Sequence, residues 1–158
     1  MKFRRELKAS DVAAIRDILN SSGFFYDHEV AVALELVEEN LNKGEEASGY
    51  VFLIAEDEDK LLGFACYGKN PCTEDSFDIY WMAVRQDQRG SGIGREMVKR
   101  IEEDIASLSG KNIWIETSSR PLYEPTRMFY VKIGYTLVAE LPNFYAKNDH
   151  KSIYLKTV

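Results

Sequence analysis

Residues 77–105 decide the fold of this chain, and they read FDIYWMAV (77–84), RQDQRGSGIG (85–94) and REMVKRIEEDI (95–105). The first part alternates side chains between two faces and is rich in aromatic and β-branched residues, which predicts a strand. In the last part, apolar residues recur at helical spacing with charges on the other face, which predicts an amphipathic helix. A strand, a connecting loop and a helix therefore follow one another here.

The connection between strand and helix is a glycine loop. Gly90, Gly92 and Gly94 lie at every second position, and the absence of side chains allows backbone N–H groups to crowd around a ligand. The helix that follows adds its own unpaired N–H groups and the positive end of its dipole. This combination predicts an anion site, most naturally for a pyrophosphate.

Two nucleotide-binding patterns fit this loop poorly. A P-loop needs Lys followed by Ser or Thr after its last glycine, whereas Gly94 is followed by Arg95 and Glu96. A dinucleotide fingerprint needs a third small residue where this chain has Met97, and it needs a tighter turn between strand and helix. Residues 89–94 (RGSGIG) fit the pattern Gln/Arg-x-x-Gly-x-Gly/Ala instead.

With the strand end before it, this loop resembles the acetyl-coenzyme A site of the GCN5-related N-acetyltransferase (GNAT) superfamily. The resemblance implies an enzyme that transfers an acetyl group from acetyl-CoA to a primary amine of a small molecule or peptide, by direct attack in a ternary complex. A non-catalytic acyl-CoA-binding module is the alternative. The residues that the resemblance assigns to the cofactor are Met82, Ala83, Val84, Arg89, Gly90, Ser91, Gly92, Ile93, Gly94 and Arg95.

Composition narrows the classes of protein that remain. The chain has 158 residues, of which 45% are hydrophobic and 29% charged, as expected for one globular domain. Its net charge of −6 argues against a nucleic-acid partner. No apolar run is long enough for a membrane span and no signal peptide is evident, so we expect a cytoplasmic protein with no membrane partner. Two cysteines and two histidines in no cluster predict neither a disulfide nor a metal site.

The predicted elements follow the order β-α-α-β-β-β-α-β-α-β-β, which is also the order of the GNAT superfamily. This order predicts one α/β domain over residues 1–158, with a central mixed, mostly antiparallel sheet flanked by α-helices. Some of the predicted boundaries matter below: a first strand at 2–7, a helix closed by Gly44, a helix at 126–133, and strands at 135–141 and 152–157. A loop at 142–151 is predicted to separate the last two strands.

Acetyl transfer to an amine needs a group that protonates the departing thiolate. Residues 129–135 (FYVKIGY) resemble the superfamily's Phe-Tyr-x-x-x-Gly-Phe/Tyr segment, whose tyrosine commonly lies near the CoA sulfur and serves as general acid. The resemblance assigns this role to Tyr130. A tyrosine with a pKa near 10 stays protonated at neutral pH and can donate its proton. Without the motif, Tyr130 would be interpreted as a core aromatic residue.

The reaction also needs a base for the amine, and Glu116 is the leading candidate. It ends the predicted strand 111–117, and a carboxylate at the carboxyl end of a strand beside an open cleft is well placed to accept a proton. Some relatives use a glutamate on this strand. A structural ion pair with Arg127 or Arg120 is the alternative, and Asp78 and Tyr80 on the central strand are further candidates.

The acceptor amine is left open by the sequence, as is the oligomeric state, for which a homodimer is one possibility. Acceptor pockets are built from loops on a rigid scaffold. The three loops expected to form the pocket here are 21–26, 68–76 and 142–151. For the aromatic loop 21–26, a packed connector between two helices is the alternative.

Overall fold

The computed structural model describes residues 1–158. It contains seven strands, four α-helices and two short 3₁₀ helices, and the predicted GNAT-like α/β architecture is confirmed. The strands form one mixed sheet in the order β1-β2-β3-β4-β5-β7-β6. The strands are β1 (Lys2–Arg4), β2 (Val51–Asp57), β3 (Lys60–Lys69), β4 (Ser76–Val84), β5 (Asn112–Ser118), β6 (Thr136–Ala146) and β7 (Asp149–Thr157). The helices are α1 (Asp11–Ser21), α2 (Asp27–Ser48), α3 (Ile93–Ser107) and α4 (Glu124–Lys132), with 3₁₀ turns at Gln86–Gln88 and Pro121–Tyr123.

The first of two compact units comprises Met1–Gly68 and Ile79–Glu103. Its strands β1, β2 and β3 pair antiparallel, and apolar side chains of the helices α1 and α2 pack in one core cluster with those of β2 and β3. The core is apolar because apolar side chains recur on one face of each helix and fill both faces of β3. Its fully buried members include Ile15, Leu19, Val37, Phe52 and Phe64.

The second unit comprises Lys69–Asp78 and Asp104–Val158. Strand β7 pairs antiparallel with both β5 and β6. Since side chains alternate between the two faces of a strand, the register Ile115↔Tyr154 and Glu116↔Ile153 assigns every β5 side chain to a face. Ile113, Ile115 and Thr117 share the face on which α4 packs, because Tyr130 of α4 contacts Tyr154. We call this the helix face, and the other, which carries Trp114, Glu116 and Ser118, the acidic face.

Three boundaries differ from the predictions in their details. Strand β1 ends at Arg4, whose guanidinium binds Asp11 and Glu56. Gly44 does not close α2 but kinks it, with φ of 81°, and the helix continues to Ser48. Helix α4 begins at Glu124 rather than at residue 126, since a proline is tolerated in the first turn of a helix.

The predicted loop at 142–151 is wrong. Strands β6 and β7 extend through it and are joined by a tight turn at Lys147 and Asn148. Pro142 and Asn143 lie in a bulge of β6, where residues 142–145 face His150 alone. Asn143 takes a left-handed φ of 55°, and its N–H donates to Nδ1 of His150 over 2.7 Å. Turn-forming residues therefore shape a bulge within a hairpin instead of a loop.

None of the four helices combines the length and the apolar content needed to span a bilayer. Both cysteines are free, with Cys66 buried and Cys72 exposed.

Candidate active site

The glycine loop has the backbone geometry expected of an anion cradle. Gly90 and Gly92 have φ of 80° and 90°, in the left-handed region that favours glycine. A Cβ built on either residue would meet no atom within 4 Å. The space in front of both residues is therefore open to a ligand, and their conformation does not serve internal packing.

Helix α3 begins directly after this loop. Its first intrahelical bond joins the N–H of Glu96 to the carbonyl of Gly92 over 3.1 Å. The amides of Ile93, Gly94 and Arg95 precede that bond and so have no partner within the helix. These amides and the helix dipole favour a negative charge at the loop.

The end of β4, which carries the predicted cofactor residues 82–84, is supported by β3. The N–H of Arg85 donates to the carbonyl of Leu62 over 2.8 Å. A Cβ on Gly63 would lie 3.1 Å from the carbonyl oxygen of Ala83 and 3.3 Å from Cγ2 of Val84. Glycine at position 63 thus lets β3 approach the strand end closely.

Arg89 lies against the connection between α1 and α2. Its guanidinium stacks 4.7 Å from the ring centroid of Phe24 and donates to the carbonyl of Ser22 over 3.4 Å. Phe25 packs edge-on against Trp81 of β4, with 5.4 Å between centroids. The aromatic segment 21–26 thus packs against β4 and reaches the glycine loop through Arg89, and its part in an acceptor pocket stays a prediction.

A cleft of about 560 Å³ lies between α1 and the 3₁₀ turn before the glycine loop. This volume is in the range of small-molecule sites. The cleft is lined by Asp17, Ile18, Ser21, Arg85, Gln86 and Asp87.

Tyr130 lies in a cluster of aromatic rings in the second unit. Only 5% of the residue is exposed. The ring centroids of Phe129, Tyr135 and Tyr154 lie 5.3, 5.8 and 6.3 Å from that of Tyr130. Burial raises the pKa of the Tyr130 phenol, so the hydroxyl stays protonated at neutral pH and well above it.

Asp78 and Glu116 are neighbouring carboxylates on the acidic face. Asp78 is half-buried, and Nδ2 of Asn70 donates to its Oδ2 over 2.7 Å. Burial raises the pKa of Asp78, the hydrogen bond from Asn70 opposes that shift, and the charge of Glu116 adds to it. The Asp78 carboxylate is therefore a stronger base than an ordinary aspartate.

Glu116 forms an ion pair, but with neither of the predicted arginines. Its Oε2 lies 2.8 Å from Nζ of Lys151. Arg120 instead pairs with Asp149 at 3.3 Å. Arg127 donates to the main-chain carbonyls of Ser118 and Arg120.

Lys151 is the site residue that the sequence reasoning missed. Its side chain is only 13% exposed, and its ammonium lies 3.6 Å from the centroid of Phe144 and 5.8 Å from that of Tyr145. The residue was assigned to a loop, where side-chain direction cannot be predicted. The alternation of residues 151, 153 and 155 was the available signal, because in a strand these positions share one face.

Tyr130 and Glu116 lie on opposite faces of β5. Tyr130 contacts Tyr154, which pairs with Ile115 on the helix face. Glu116 is paired in register with Ile153 on the acidic face. Nε1 of Trp114, on the acidic face, donates to Oγ of Ser76 in β4, so Ser76 lies on the same face of the sheet. Asp78 is two residues further along β4 and therefore also lies on the acidic face.

Comparison with known proteins agrees with this geometry. A family model for the acetyltransferase (GNAT) domain matches residues 48–137. A GNAT-family protein from Desulfovibrio desulfuricans shares 39% identity and superposes with a TM-score of 0.95, with 99% of this chain and 98% of that chain covered. Comparison with curated proteins finds no match.

More distant structures share the fold. An aminoglycoside 6'-N-acetyltransferase complexed with coenzyme A is 23% identical, with a TM-score of 0.79 and 99% and 97% of the two chains covered. The ribosomal-protein-S18-alanine N-acetyltransferase from Escherichia coli is 16% identical, with a TM-score of 0.75 and 99% and 93% covered. The family match over more than half of the chain and the 39% identical relative lead to one conclusion. The chain belongs to the GNAT acetyltransferase family.

Proposed function

We propose that residues 1–158 act as a single N-acetyltransferase domain, which transfers an acetyl group from acetyl-CoA to a primary amine by direct attack in a ternary complex. The glycine loop carries the proposal. Gly90 and Gly92 hold a conformation that no internal contact requires, with open space in front of them and the amides of a helix start beside them. In a GNAT-family chain, the pyrophosphate of acetyl-CoA is the natural ligand of such a loop.

The residues present fit this co-substrate. The amides of residues 90–95 would hold the pyrophosphate, and the exposed guanidinium groups of Arg89 and Arg95 would add positive charge beside it. Residues 82–84 at the end of β4 are the other proposed acetyl-CoA-binding residues. Acetyl-CoA supplies the acetyl group as a thioester, which is already activated toward an amine.

Tyr130 is the proposed general acid. Its hydroxyl is held protonated by burial, so a proton is available at neutral pH. The alternative is that Tyr130 is a purely structural member of the aromatic cluster, since three rings pack around it. Removing the hydroxyl while keeping the ring separates the two roles.

The proposed base lies in the pair formed by Asp78 and Glu116. Asp78 is the better placed of the two, because Asn70 binds only its Oδ2 and burial strengthens it as a base. One oxygen of Glu116 is occupied by Lys151. Glu116 would then contribute through its negative charge, which helps to raise the pKa of Asp78. In the competing assignment, Glu116 is itself the base and uses the oxygen that Lys151 does not bind.

Acid and base lie on opposite faces of β5, whereas the attacking nitrogen and the departing sulfur are bonded to one carbonyl carbon, so direct transfer would require the thioester to lie at the end of this strand, within reach of both faces. A base on the acidic face would remove the proton of the incoming amine. An acid on the helix face would protonate the sulfur that departs. The two protons therefore move on different sides of the strand, and one group need not perform both tasks.

A cationic acceptor suits the acidic face, where two carboxylates face a single lysine. Small molecules and peptides are both candidate acceptors. The structurally similar aminoglycoside and ribosomal-protein acetyltransferases are named for one acceptor of each class. The deciding experiment is a screen of primary amines with acetyl-CoA, in which the released CoA thiol is measured. We expect release that depends on the amine and on Tyr130. If acetyl-CoA stabilises the protein but no amine releases thiol, the non-catalytic acyl-CoA-binding module is the better description.

A further inference from the structure

Lys151 is a fixed positive charge on the acidic face. Only 13% of its side chain is exposed, and its Nζ lies 2.8 Å from Oε2 of Glu116. The same ammonium lies 3.6 Å from the ring centroid of Phe144, which is within the range of a cation–π contact. A surface lysine usually keeps its ammonium in water, whereas this one is held between a carboxylate and an aromatic ring.

The charge of Lys151 sets the charge balance of this face. Glu116 and Asp78 are neighbouring carboxylates, and Lys151 compensates one of the two negative charges by its ion pair with Glu116. Asp78 is bound by the neutral amide of Asn70 instead. Arg120 and Asp149, at the same end of β5, pair with each other at 3.3 Å and add no net charge. These groups together leave one uncompensated negative charge, on the carboxylate that we propose as the base.

A ligand with one ammonium group matches this balance. Its ammonium would neutralise the remaining carboxylate charge. A second ammonium a few carbon atoms away would find Glu116 already paired and would meet the fixed ammonium of Lys151. Such like-charge repulsion is an ordinary way for a site to reject a wrong partner.

Aromatic rings flank the ammonium of Lys151 and stay open to a ligand. Phe144 is 53% exposed and Tyr145 is 44% exposed. The centroid of Tyr145 lies 5.8 Å from Nζ of Lys151, and the two rings meet edge-on with 5.2 Å between centroids. Exposed rings beside a carboxylate offer apolar contact area to the part of a ligand that follows its amine. We therefore expect the body of the acceptor to be apolar.

We propose that Lys151 is a specificity-determining residue, which restricts the acceptor to a primary amine with one positive charge on an apolar body. This inference rests on the proposed acetyl transfer, because it assigns the acceptor class of the same site. Amines that carry several ammonium groups, such as polyamines, are then poor acceptors.

The test uses three primary amines that share a three-carbon chain: propylamine, phenylpropylamine and trimethylenediamine, whose two nitrogens are both charged at neutral pH. Released CoA thiol gives kcat/KM per amino group with acetyl-CoA. NMR titration with CoA bound gives the dissociation constants of the same amines without turnover. We expect the wild type to prefer propylamine to the diamine, and phenylpropylamine to propylamine, each by at least about tenfold.

Lys151→Met removes the fixed charge and keeps an unbranched side chain beside Phe144. We expect the preference for propylamine over the diamine to fall at least about tenfold, both in kcat/KM and in the dissociation constants. Lys151→Gln is the second variant, in case Lys151→Met fails to fold. Circular dichroism checks the fold of each variant.

Lys111→Met is the matched control, because Lys111 also lies near a carboxylate, that of Asp75 at 3.8 Å, but precedes the opposite end of β5. It removes the same charge from the chain, and we expect it to keep the wild-type preference. A wild type that prefers the diamine overturns the proposal, as does an unchanged preference in Lys151→Met or an equal change in Lys111→Met. If no amine releases thiol, the proposed acetyl transfer fails, and the dissociation constants alone then decide the inference.

Discussion

Gly92→Val tests the proposed acetyl-CoA site most directly. Gly92 has φ of 90°, and no protein atom lies within 4 Å of the position that its Cβ would take. The new side chain therefore meets no internal neighbour, and it enters only the space proposed for the pyrophosphate. A left-handed residue with a Cβ still costs at least about 1 kcal/mol of folding free energy.

Gly49→Val is the matched control for that backbone cost. Gly49 has φ of 73° at the end of α2, and a Cβ there also meets no atom within 4 Å. At roughly 2–4 °C per kcal/mol for a chain of this size, each variant should melt at least about 2 °C below the wild type. The two ligand-free proteins should therefore lose similar stability.

The ligand-induced shift distinguishes the two variants. Acetyl-CoA at about 100 times its dissociation constant stabilises a protein by roughly 2.7 kcal/mol, and a hundredfold loss of affinity reduces this to about 0.4 kcal/mol. We expect melting to rise by about 5–11 °C for the wild type and Gly49→Val, and by less than about 2 °C for Gly92→Val. The assay is differential scanning fluorimetry at one fixed acetyl-CoA concentration. A full shift in Gly92→Val, or an equal shift of the wild type with ATP, would refute the assignment of the loop.

Tyr130→Phe should lower turnover by about 10²-fold with little change in acetyl-CoA affinity, whereas Tyr154→Phe, which loses a hydroxyl from the same ring cluster, should keep its turnover. If both variants lose turnover equally, Tyr130 has only a structural role in the ring cluster. Asp78→Asn should lower the rate at pH 7 and recover part of it near pH 9–10, where solvent deprotonates more of an amine with a pKa near 10.4. The pKa of Asp78 in the folded protein is raised above 3.8, so its ionisation lowers the free energy of unfolding at higher pH. Asp78→Asn should therefore melt above the wild type at pH 7. The difference in melting temperature should close as the pH falls toward 3.8. Glu116→Gln should show the same loss and recovery of rate with pH only if Glu116 is the base. A lower melting temperature with a rate–pH profile of wild-type shape would mean that Glu116 serves only in its ion pair with Lys151. Lys151→Met removes the charge that compensates Glu116, so the acidic limb of the rate profile should move to higher pH, and an unmoved limb would separate Lys151 from the chemistry.

The strand, glycine loop and helix of residues 77–105 could be predicted from the sequence because each is determined locally. Alternation of side chains defines the strand and helical spacing defines α3. Gly90 and Gly92 do take left-handed φ values, as glycines at such a turn commonly do. The family followed from the same stretch, and the match of residues 48–137 confirms it.

Local signals were misleading in the last hairpin. Pro142, Asn143 and Asn148 are typical turn residues, and they predicted a loop at 142–151. The pairing of β6 with β7 overrides them, because a bulge accommodates the proline and a left-handed asparagine within the strand. Such pairing depends on neighbours in the sheet and is not encoded in the few residues around a position.

The partners of the site residues were decided by the tertiary structure alone. Glu116 meets Lys151, 35 positions away, because the register of β5 with β7 sets Ser118 opposite Lys151 and brings both side chains to one face. The sequence by itself determined the types of residue available for chemistry and the loop that would hold an anion. Which carboxylate is half-buried, which is paired, and which face each occupies depend on strand register, where a shift of one residue would turn every side chain to the opposite face.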